Sequence, residues 1–223
     1  MEKNNNFAKR LIMSILGIGI CSVSVALFKL SNLGVDPFQS MAMGTHSFVS
    51  LSYGTYYLLL SILFLIVTFI LDKHYISLAT FLNMFLMGYI IDFSIAFFKK
   101  FDFIANATMS TRAVLLILGI VIMCFGSALY YTGDLGVSVY DAIALVMADR
   151  KIAKFQYCRI GADLVCVTIG FVTSMIGNAG PLVGIGTVIT AFFMGPLIEF
   201  FNVYIARPLL YGRDYKKEEA RVA

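Results

Sequence analysis

The chain has 223 residues, of which 60% are hydrophobic and 13% charged, and its formal net charge is +4. This composition, with a mean hydropathy of +0.87, is typical of a membrane protein and excludes a soluble globular domain of ordinary composition. The positive charge does not indicate nucleic-acid binding, because the sequence has no basic patch with interleaved aromatic residues.

Six apolar stretches are long enough to cross a bilayer, whose hydrocarbon core of about 30 Å needs about 20 helical residues. In chain order they run from Leu11 to Leu30, Tyr53 to Leu71, Ser77 to Phe98, Ala113 to Tyr131, Cys158 to Ile176 and Leu182 to Ile205. A short basic leader precedes the first stretch, but no small-residue cleavage site follows it, so we expect the first span to be retained. The sequence therefore predicts an all-α polytopic membrane helix bundle with six spans.

A segment too short to span follows the first span of each half of the chain. In the first half, Asp36 is a good N-cap residue and Pro37 a good first helical residue. In the second half, Ser138 takes the capping position, and the apolar run from Val139 to Ala148 would be only about 15 Å long. We predict a half-helix at each place, either re-entrant or lying at the membrane interface.

The two halves of the chain also share a sequence pattern. Motifs recur after 102 positions in the first part of each half and after 107 positions in the last part: Leu16-Gly17-Ile18 as Leu118-Gly119-Ile120, Leu33-Gly34-Val35 as Leu135-Gly136-Val137, and Met87-Gly88 as Met194-Gly195. The duplication predicts two related units, 11–98 and 113–205, followed by a basic tail at 206–223. Because three spans per unit is an odd number, the two units are expected to have inverted orientations.

Lys and Arg near span ends predict the orientation, because they favour the cytoplasmic side. With the N-terminus inside, thirteen of the 17 Lys and Arg residues fall in predicted inner segments, against Lys29, Lys99, Lys100 and Arg112 outside. We therefore expect a multi-pass protein of the bacterial plasma (inner) membrane with both termini in the cytoplasm. The alternative, in which the half-helices are full spans, gives eight spans and a parallel repeat.

The residues around the first half-helix resemble a known group of proteins. Leu33-Gly34-Val35-Asp36-Pro37-Phe38-Gln39, followed by Thr80-x-x-Asn83 and Gly88-x-x-Ile91-Asp92, is similar to the YczE/YyaS/YitT group of bacterial integral membrane proteins. The resemblance covers roughly Leu11 to Ile205 and implies a multispan plasma-membrane protein. In YczE-like members the first motif commonly reads Leu-Gly-x-x-Pro-Trp-Asp, so Phe38 and Gln39 depart from it, whereas Asp141 restores the acid in the second copy.

Ionisable residues inside spans are the best functional candidates, because a buried charge is costly in a bilayer and usually faces a partner or a cavity. Asp92 and Glu199 occupy matching positions in the two units. We expect them to bind a cation, a proton or the positive group of a zwitterion, while the half-helix N-termini attract a negative group. The alternative is that both acids are structural. The candidate binding residues are Asp36, Gln39, Asn83, Asp92, Ser138, Asp141, Thr190 and Glu199, with Gly34, Pro37 and Gly136 as structural turn residues.

Other sequence features favour structural roles. Arg159 and Asp163 are four residues apart and predict an intrahelical ion pair. Two tyrosine pairs, Tyr56-Tyr57 and Tyr130-Tyr131, are predicted to form an interfacial aromatic belt. No catalytic motif, cofactor fingerprint or metal-ligand spacing is present in the sequence, so we predict neither an enzyme nor a cofactor or metal site.

These observations predict a secondary transporter or permease of a small polar solute, with its site at the interface of the two units. One alternative is an accessory or regulatory membrane protein that transports nothing. Another is a membrane-embedded solute-binding subunit of a larger transporter. The expected partners are the lipid bilayer and the solute, with a protein partner or a homo-oligomer left open.

Overall fold

The computed structural model describes residues 7–72, 76–153, 155–180 and 182–212, and in these ranges its regular structure is entirely helical. The elements are α1 (Phe7–Ser31), α2 (Pro37–His46), α3 (Tyr53–Leu71), α4 (Leu78–Phe98), α5 (Asp102–Ala105), α6 (Met109–Gly133), α7 (Val139–Asp149), α8 (Phe155–Ile176), α9 (Ile185–Phe201), a π-helical segment (Asn202–Ala206) and α10 (Arg207–Tyr211).

Five single helices, α1, α3, α4, α6 and α8, are long and apolar enough to cross a membrane. The sixth predicted span is not one straight helix, because Ile185–Met194 and Pro196–Tyr211 meet at a bend of 48°. Pro196 lies inside α9, where it has no N–H for a helical hydrogen bond and its ring disfavours a straight helix. The chain is therefore a multi-pass helical membrane protein with five single candidate spans and one bent helix pair that is a sixth candidate.

Helices α2 and α7 are the predicted half-helices, with ten and eleven residues. At about 1.5 Å per residue neither can cross a bilayer, so the eight-span alternative does not fit the structure. The predicted caps are confirmed: Asp36 Oδ1 accepts from Gln39 N at 3.2 Å, Pro37 is the first residue of α2, and Ser138 Oγ accepts from Asp141 N at 3.1 Å.

The first helices of the two halves, α1 and α6, pack against each other in antiparallel directions. Near the start of α1, Arg10 Nη1 donates to Gly133 O at the end of α6, at 3.2 Å. Further along α1, Ser24 Oγ donates to Gly119 O, nearer the start of α6, at 2.8 Å. The contacts thus move backwards along α6 as α1 advances.

The turn before α2 docks on the start of α9, in the other half of the chain. Gly34 has φ 108°, and a Cβ there would lie 2.7 Å from both Gly184 N and Thr187 Oγ1. Thr187 Oγ1 also donates to Val35 O at 2.7 Å. This position therefore needs glycine both for its backbone conformation and for the close approach of α9.

The turn before α7 makes the same contact with the start of α4. Gly136 has φ 109°, a Cβ there would lie 2.8 Å from Thr80 Oγ1, and Thr80 Oγ1 donates to Val137 O at 2.7 Å. The half-helices also pack against the opposite half of the chain, since α2 packs mainly on α8 and α7 contacts α3. The repeated Gly and Thr residues thus mark equivalent contacts between the two halves.

Two sequence predictions, the aromatic belt and the basic tail, differ in part from the structure. The aromatic-belt prediction is wrong for Tyr57 and Tyr130. Both side chains lie between helices and are only 3% and 5% exposed. The segment predicted as a basic tail begins as structured chain: α10 packs on the bundle through Leu210, which is 2% exposed. Residues 213–223 lie outside the described ranges.

Candidate functional site

The starts of the two half-helices meet inside the bundle. Phe38 in the first turn of α2 stacks on Tyr140 in the first turn of α7, with ring centroids 4.8 Å apart and an interplanar angle of 25°. These two residues are 102 positions apart and so occupy matching positions in the repeat. Tyr57 and Phe64 of α3 pack edge-on against Phe38, at 6.1 and 5.7 Å. The repeat thus brings both half-helix N-termini to one place.

Arg159 of α8 lies at the centre of the charged groups beside this stack. Its Nη1 forms an ion pair with Asp141 of α7, and its Nε lies 3.4 Å from Asp163 Oδ1. The guanidinium carbon is 4.7 Å from the ring centroid of Tyr140, within the range of a cation–π contact. The predicted intrahelical pair with Asp163 is confirmed, but Arg159 also connects α8 to α7.

Both carboxylates receive further hydrogen bonds. Tyr140 Oη donates to Asp163 Oδ1 at 2.6 Å, while Ser138 Oγ and Tyr131 Oη donate to Asp141 Oδ2 at 2.8 and 3.1 Å. The side chains of Asp141 and Asp163 are 11% and 15% exposed. We call Tyr131, Ser138, Tyr140, Asp141, Arg159 and Asp163 the central cluster. Buried charges that are paired and hydrogen-bonded in this way are held in one arrangement.

The start of α2 adds one more carboxylate beside the central cluster. Asp36 interacts electrostatically with Arg159 and Asp163. Its Oδ1 caps α2, but its Oδ2 is buried and has no hydrogen-bond partner. A buried carboxylate oxygen without a partner is unfavourable, so this atom is the least satisfied acceptor at the site.

A cavity of about 380 Å³ lies near the end of α2. Lys29, His46, Tyr53 and Asp92 are among the residues that line it. The Tyr53 hydroxyl donates to Gln39 Oε1, and Gln39 is 1% exposed in the first turn of α2. Tyr53 therefore stands between the cavity and the half-helix starts.

The two matched acids, Asp92 and Glu199, have different surroundings. Asp92 Oδ2 accepts from Gly54 N at the start of α3, at 2.8 Å. The side chain of Glu199 is 61% exposed and lies 4.0 Å from Arg207, with Asn202 Nδ2 at 3.3 Å. Only Asp92 lines the cavity, so the matching positions do not form one shared site.

The other predicted binding residues divide in the same way. Asp36, Gln39, Ser138 and Asp141 lie at or beside the half-helix starts, as described above. Asn83 Oδ1 accepts from Tyr57 Oη at 3.4 Å, and Thr190 Oγ1 donates to Thr187 O within α9 at 3.0 Å. Asn83 and Thr190 thus make their side-chain hydrogen bonds outside the central cluster.

Sequence reasoning missed the importance of Arg159, Asp163 and Tyr140. The available signal was two opposite charges within an otherwise apolar span, but their spacing by itself predicts only a structural ion pair within one helix. That interpretation lacked the packing of α7 against α8, which adds Asp141 to the pair. Within the described ranges, no group of three or more His, Cys, Asp or Glu side chains is arranged to hold a metal ion.

Comparison with known proteins agrees with a membrane bundle of this size. The model of a family of unknown function, DUF6198, matches residues 8–203. The chain is 25% identical over 170 residues to the uncharacterized membrane protein YczE of Bacillus subtilis, covering 75% of this chain and 73% of YczE. It is 27% identical over 195 residues to the uncharacterized protein YyaS of the same organism, covering 87% of this chain and 93% of YyaS.

A further relative comes from another organism. An uncharacterized protein of Haemophilus influenzae is 27% identical over 195 residues, covering 87% of this chain and 82% of that protein. No solved structure matches the chain at a significant level. The YczE and YyaS parts of the resemblance are supported, while the YitT part stays a prediction. Because the family model covers most of its length, the chain belongs to the DUF6198 family, whose function is unknown.

Proposed function

We propose that this protein is a secondary transporter of a small polar solute, with its binding site where α2 and α7 meet. The observation that carries the proposal is the stack of Phe38 on Tyr140 beside the charged residues of the central cluster. Facing half-helix starts next to buried ionisable groups are typical of transporter binding sites. A bundle that only anchors a partner has no need to bury these groups at such a cost.

We further propose that the two halves are inverted repeats of three spans each. Antiparallel packing of α1 and α6, the first helices of the two halves, supports this, because equivalent spans run in opposite directions only when the units are inverted. The distribution of Lys and Arg then favours a plasma-membrane location with both termini in the cytoplasm. The equivalent docking of the two glycine turns gives the halves an interface about which they can rock.

In the proposed orientation, the cavity near Lys29 and Asp92 opens on the outer side, because it lies at the end of α1. On the cytoplasmic side, Arg10 contacts the end of α6 and donates to Tyr211 Oη of α10 at 2.9 Å. The contact between Tyr53 and Gln39 would separate the cavity from the central cluster. Breaking the outer and inner contacts alternately would give access from each side in turn.

The test is sided labelling of single cysteines after the two half-helices. Ser50→Cys follows α2 and Ile152→Cys follows α7, and both positions are exposed. We expect a membrane-impermeant maleimide to label Ser50→Cys only from outside and Ile152→Cys only from the cytoplasm. The unsubstituted protein is the control, because its four cysteines are buried. Labelling of both sites from the same side would contradict the inverted arrangement and favour an accessory protein.

A further inference from the structure

We propose that the transported solute is a small organic cation, and that its positive group binds among Asp36, Asp141 and Asp163 beside the ring of Tyr140. This inference rests on the proposed transport function and adds the charge of the solute. It also assigns Arg159 a role as the internal cation that holds the site when no solute is bound.

The balance of charge at the site excludes an anion as the favoured solute. Asp141 and Asp163 pair with Arg159, and Asp36 is close enough to interact with Arg159 and Asp163. Two carboxylates therefore contact one guanidinium and a third acts on it from the start of α2, which leaves an excess of negative charge when all four groups are ionised. An anion entering here would be repelled at low dielectric, whereas a cation would be attracted.

At each half-helix start, one capping amide already has a partner within the chain. In α2 the capping amide of Gln39 already donates to Asp36 Oδ1. In α7 the amide of Asp141 donates to Ser138 Oγ. These two amides are therefore occupied by the chain's own side chains, while the expectation that the half-helix N-termini attract a negative group stays a prediction.

Asp36 provides an independent indication of a missing positive partner. Its Oδ2 is buried and accepts no hydrogen bond, although a buried carboxylate oxygen normally has a donor. A cation with N–H groups would donate to this oxygen and satisfy it. Asp36 Oδ2 is thus a specific atom to which a cation could donate, in addition to the general excess of negative charge.

Arg159 indicates which kind of cation the site accommodates. Its guanidinium is bound by two carboxylates and lies over the Tyr140 ring at 4.7 Å. Carboxylates and an aromatic face are the groups that bind guanidinium and alkylammonium ions. The Arg159 side chain is 34% exposed, so its neighbours do not enclose it completely. We infer that the solute displaces this guanidinium and takes over its contacts.

The test measures thermal unfolding of the purified full chain in detergent with three planar probes of similar size: guanidinium, urea and acetate. Methylammonium, which also has N–H groups, serves as a second cation, and sodium chloride keeps the ionic strength equal. We expect guanidinium or methylammonium at low millimolar concentration to raise Tm in a saturable way, because a bound ligand stabilises the folded state. No rise with either cation, or an equal rise with urea or acetate, would overturn the inference.

A matched pair of variants locates the effect. Asp36→Asn keeps the capping oxygen of α2 and removes the charge, so it should fold but lose the cation-dependent rise in Tm. Asp134→Asn removes an acid that is 73% exposed and lies outside the site, in a left-handed conformation that asparagine tolerates. It should retain the full rise. A rise that persists in Asp36→Asn would show that the cation binds elsewhere and would overturn the assignment.

A double variant tests the role of Arg159. Arg159→Gln with Asp163→Asn removes one charge of each sign, so the excess of negative charge stays the same. We expect half-maximal stabilisation at a lower guanidinium concentration, because the internal competitor is gone. An unchanged or higher concentration would overturn displacement. Failure of these binding tests refutes the cation inference alone, whereas same-sided cysteine labelling refutes the proposed function.

Discussion

The two half-helices are held by the same backbone contacts but have different side chains around them. In and beside α7 these side chains are Asp141, Arg159 and Asp163. The residues 102 positions earlier, around α2 and α3, are Gln39, Tyr57 and Ser61. Where Arg159 pairs with two carboxylates, Tyr57 Oη contacts Asn83 and the sulfur of Met87 at 3.4 and 3.2 Å. At these three matched positions the second half is charged and the first half is neutral, whereas the cap of α2, Asp36, is charged and its counterpart Ser138 is neutral.

This difference shows which parts of the duplication are required by folding. The contacts common to both halves are the glycine turns, the threonines that bond to them and the capped half-helix starts. These satisfy backbone groups that any such fold must satisfy. The charges of Asp141, Arg159 and Asp163 are not needed for those contacts, since the first half forms them with Gln39, Tyr57 and Ser61 at the matching positions. These three charged groups therefore support the proposed function.

The largest effect should come from removing the charge at the centre of the charged half. Arg159→Ala leaves Asp141 and Asp163 without their shared cation, and breaking a buried ion pair in this way costs about 3–5 kcal/mol. Tyr57→Phe at the matching position removes only a long hydroxyl contact and should cost less than about 1 kcal/mol. Unfolding in detergent, followed by a thiol-reactive dye that reports exposure of the buried cysteines, compares the two variants.

An equal loss of stability for both variants would contradict the distinction between the halves. Asp141→Asn sharpens the comparison further, because asparagine keeps an oxygen for the hydrogen bonds from Ser138 and Tyr131. Its cost should lie between those of Arg159→Ala and Tyr57→Phe.

The glycine turns should give an intermediate effect that is the same in both halves. Gly34→Ala and Gly136→Ala each force alanine into a positive φ, which costs roughly 1–2 kcal/mol, and add the clash with the facing helix. Gly180→Ala is the control, because Gly180 has φ 79° with open space around the added Cβ. Gly180→Ala should lower the free energy of unfolding by a smaller amount, because only the strained backbone conformation contributes.

These three variants are measured by thermal unfolding at equal detergent concentration. If Gly34→Ala and Gly136→Ala differed strongly from each other, the two turns would not be equivalent. If neither exceeded Gly180→Ala, close docking between the halves would not contribute to stability.

The smallest effects should come from the matched acids that the sequence emphasised. Asp92→Asn weakens the hydrogen bond from Gly54 N and should cost about 1 kcal/mol. Glu199→Gln changes an acid that is mostly exposed and should remain within about 0.5 kcal/mol of the unsubstituted protein. The same unfolding assay checks the order, and a larger loss for Glu199→Gln would contradict the different surroundings of the two acids.

Much of the fold follows from local sequence patterns. Apolar length predicted the five straight spans, and the Asp36-Pro37 and Ser138 signals predicted where the half-helices begin. The candidate site was less predictable. Asp92 and Glu199 matched in sequence, but matching positions share an environment only if their neighbours also match, and Glu199 lies on an exposed face. Tyr57 and Tyr130 were assigned to the membrane interface because a single sequence does not distinguish a lipid-facing tyrosine from one between helices.

The sequence by itself determined that this is a multi-pass helical protein with two related halves, because hydrophobic length, helix caps and duplicated motifs are local properties of the chain. Only the tertiary structure decided which polar side chains meet. Asp36, Tyr140, Asp141 and Arg159 come from three different segments, and their assembly depends on α7 packing against α8 and on the meeting of the two half-helices. Contacts between segments far apart in the chain arise from packing, which residue spacing along a single helix does not encode.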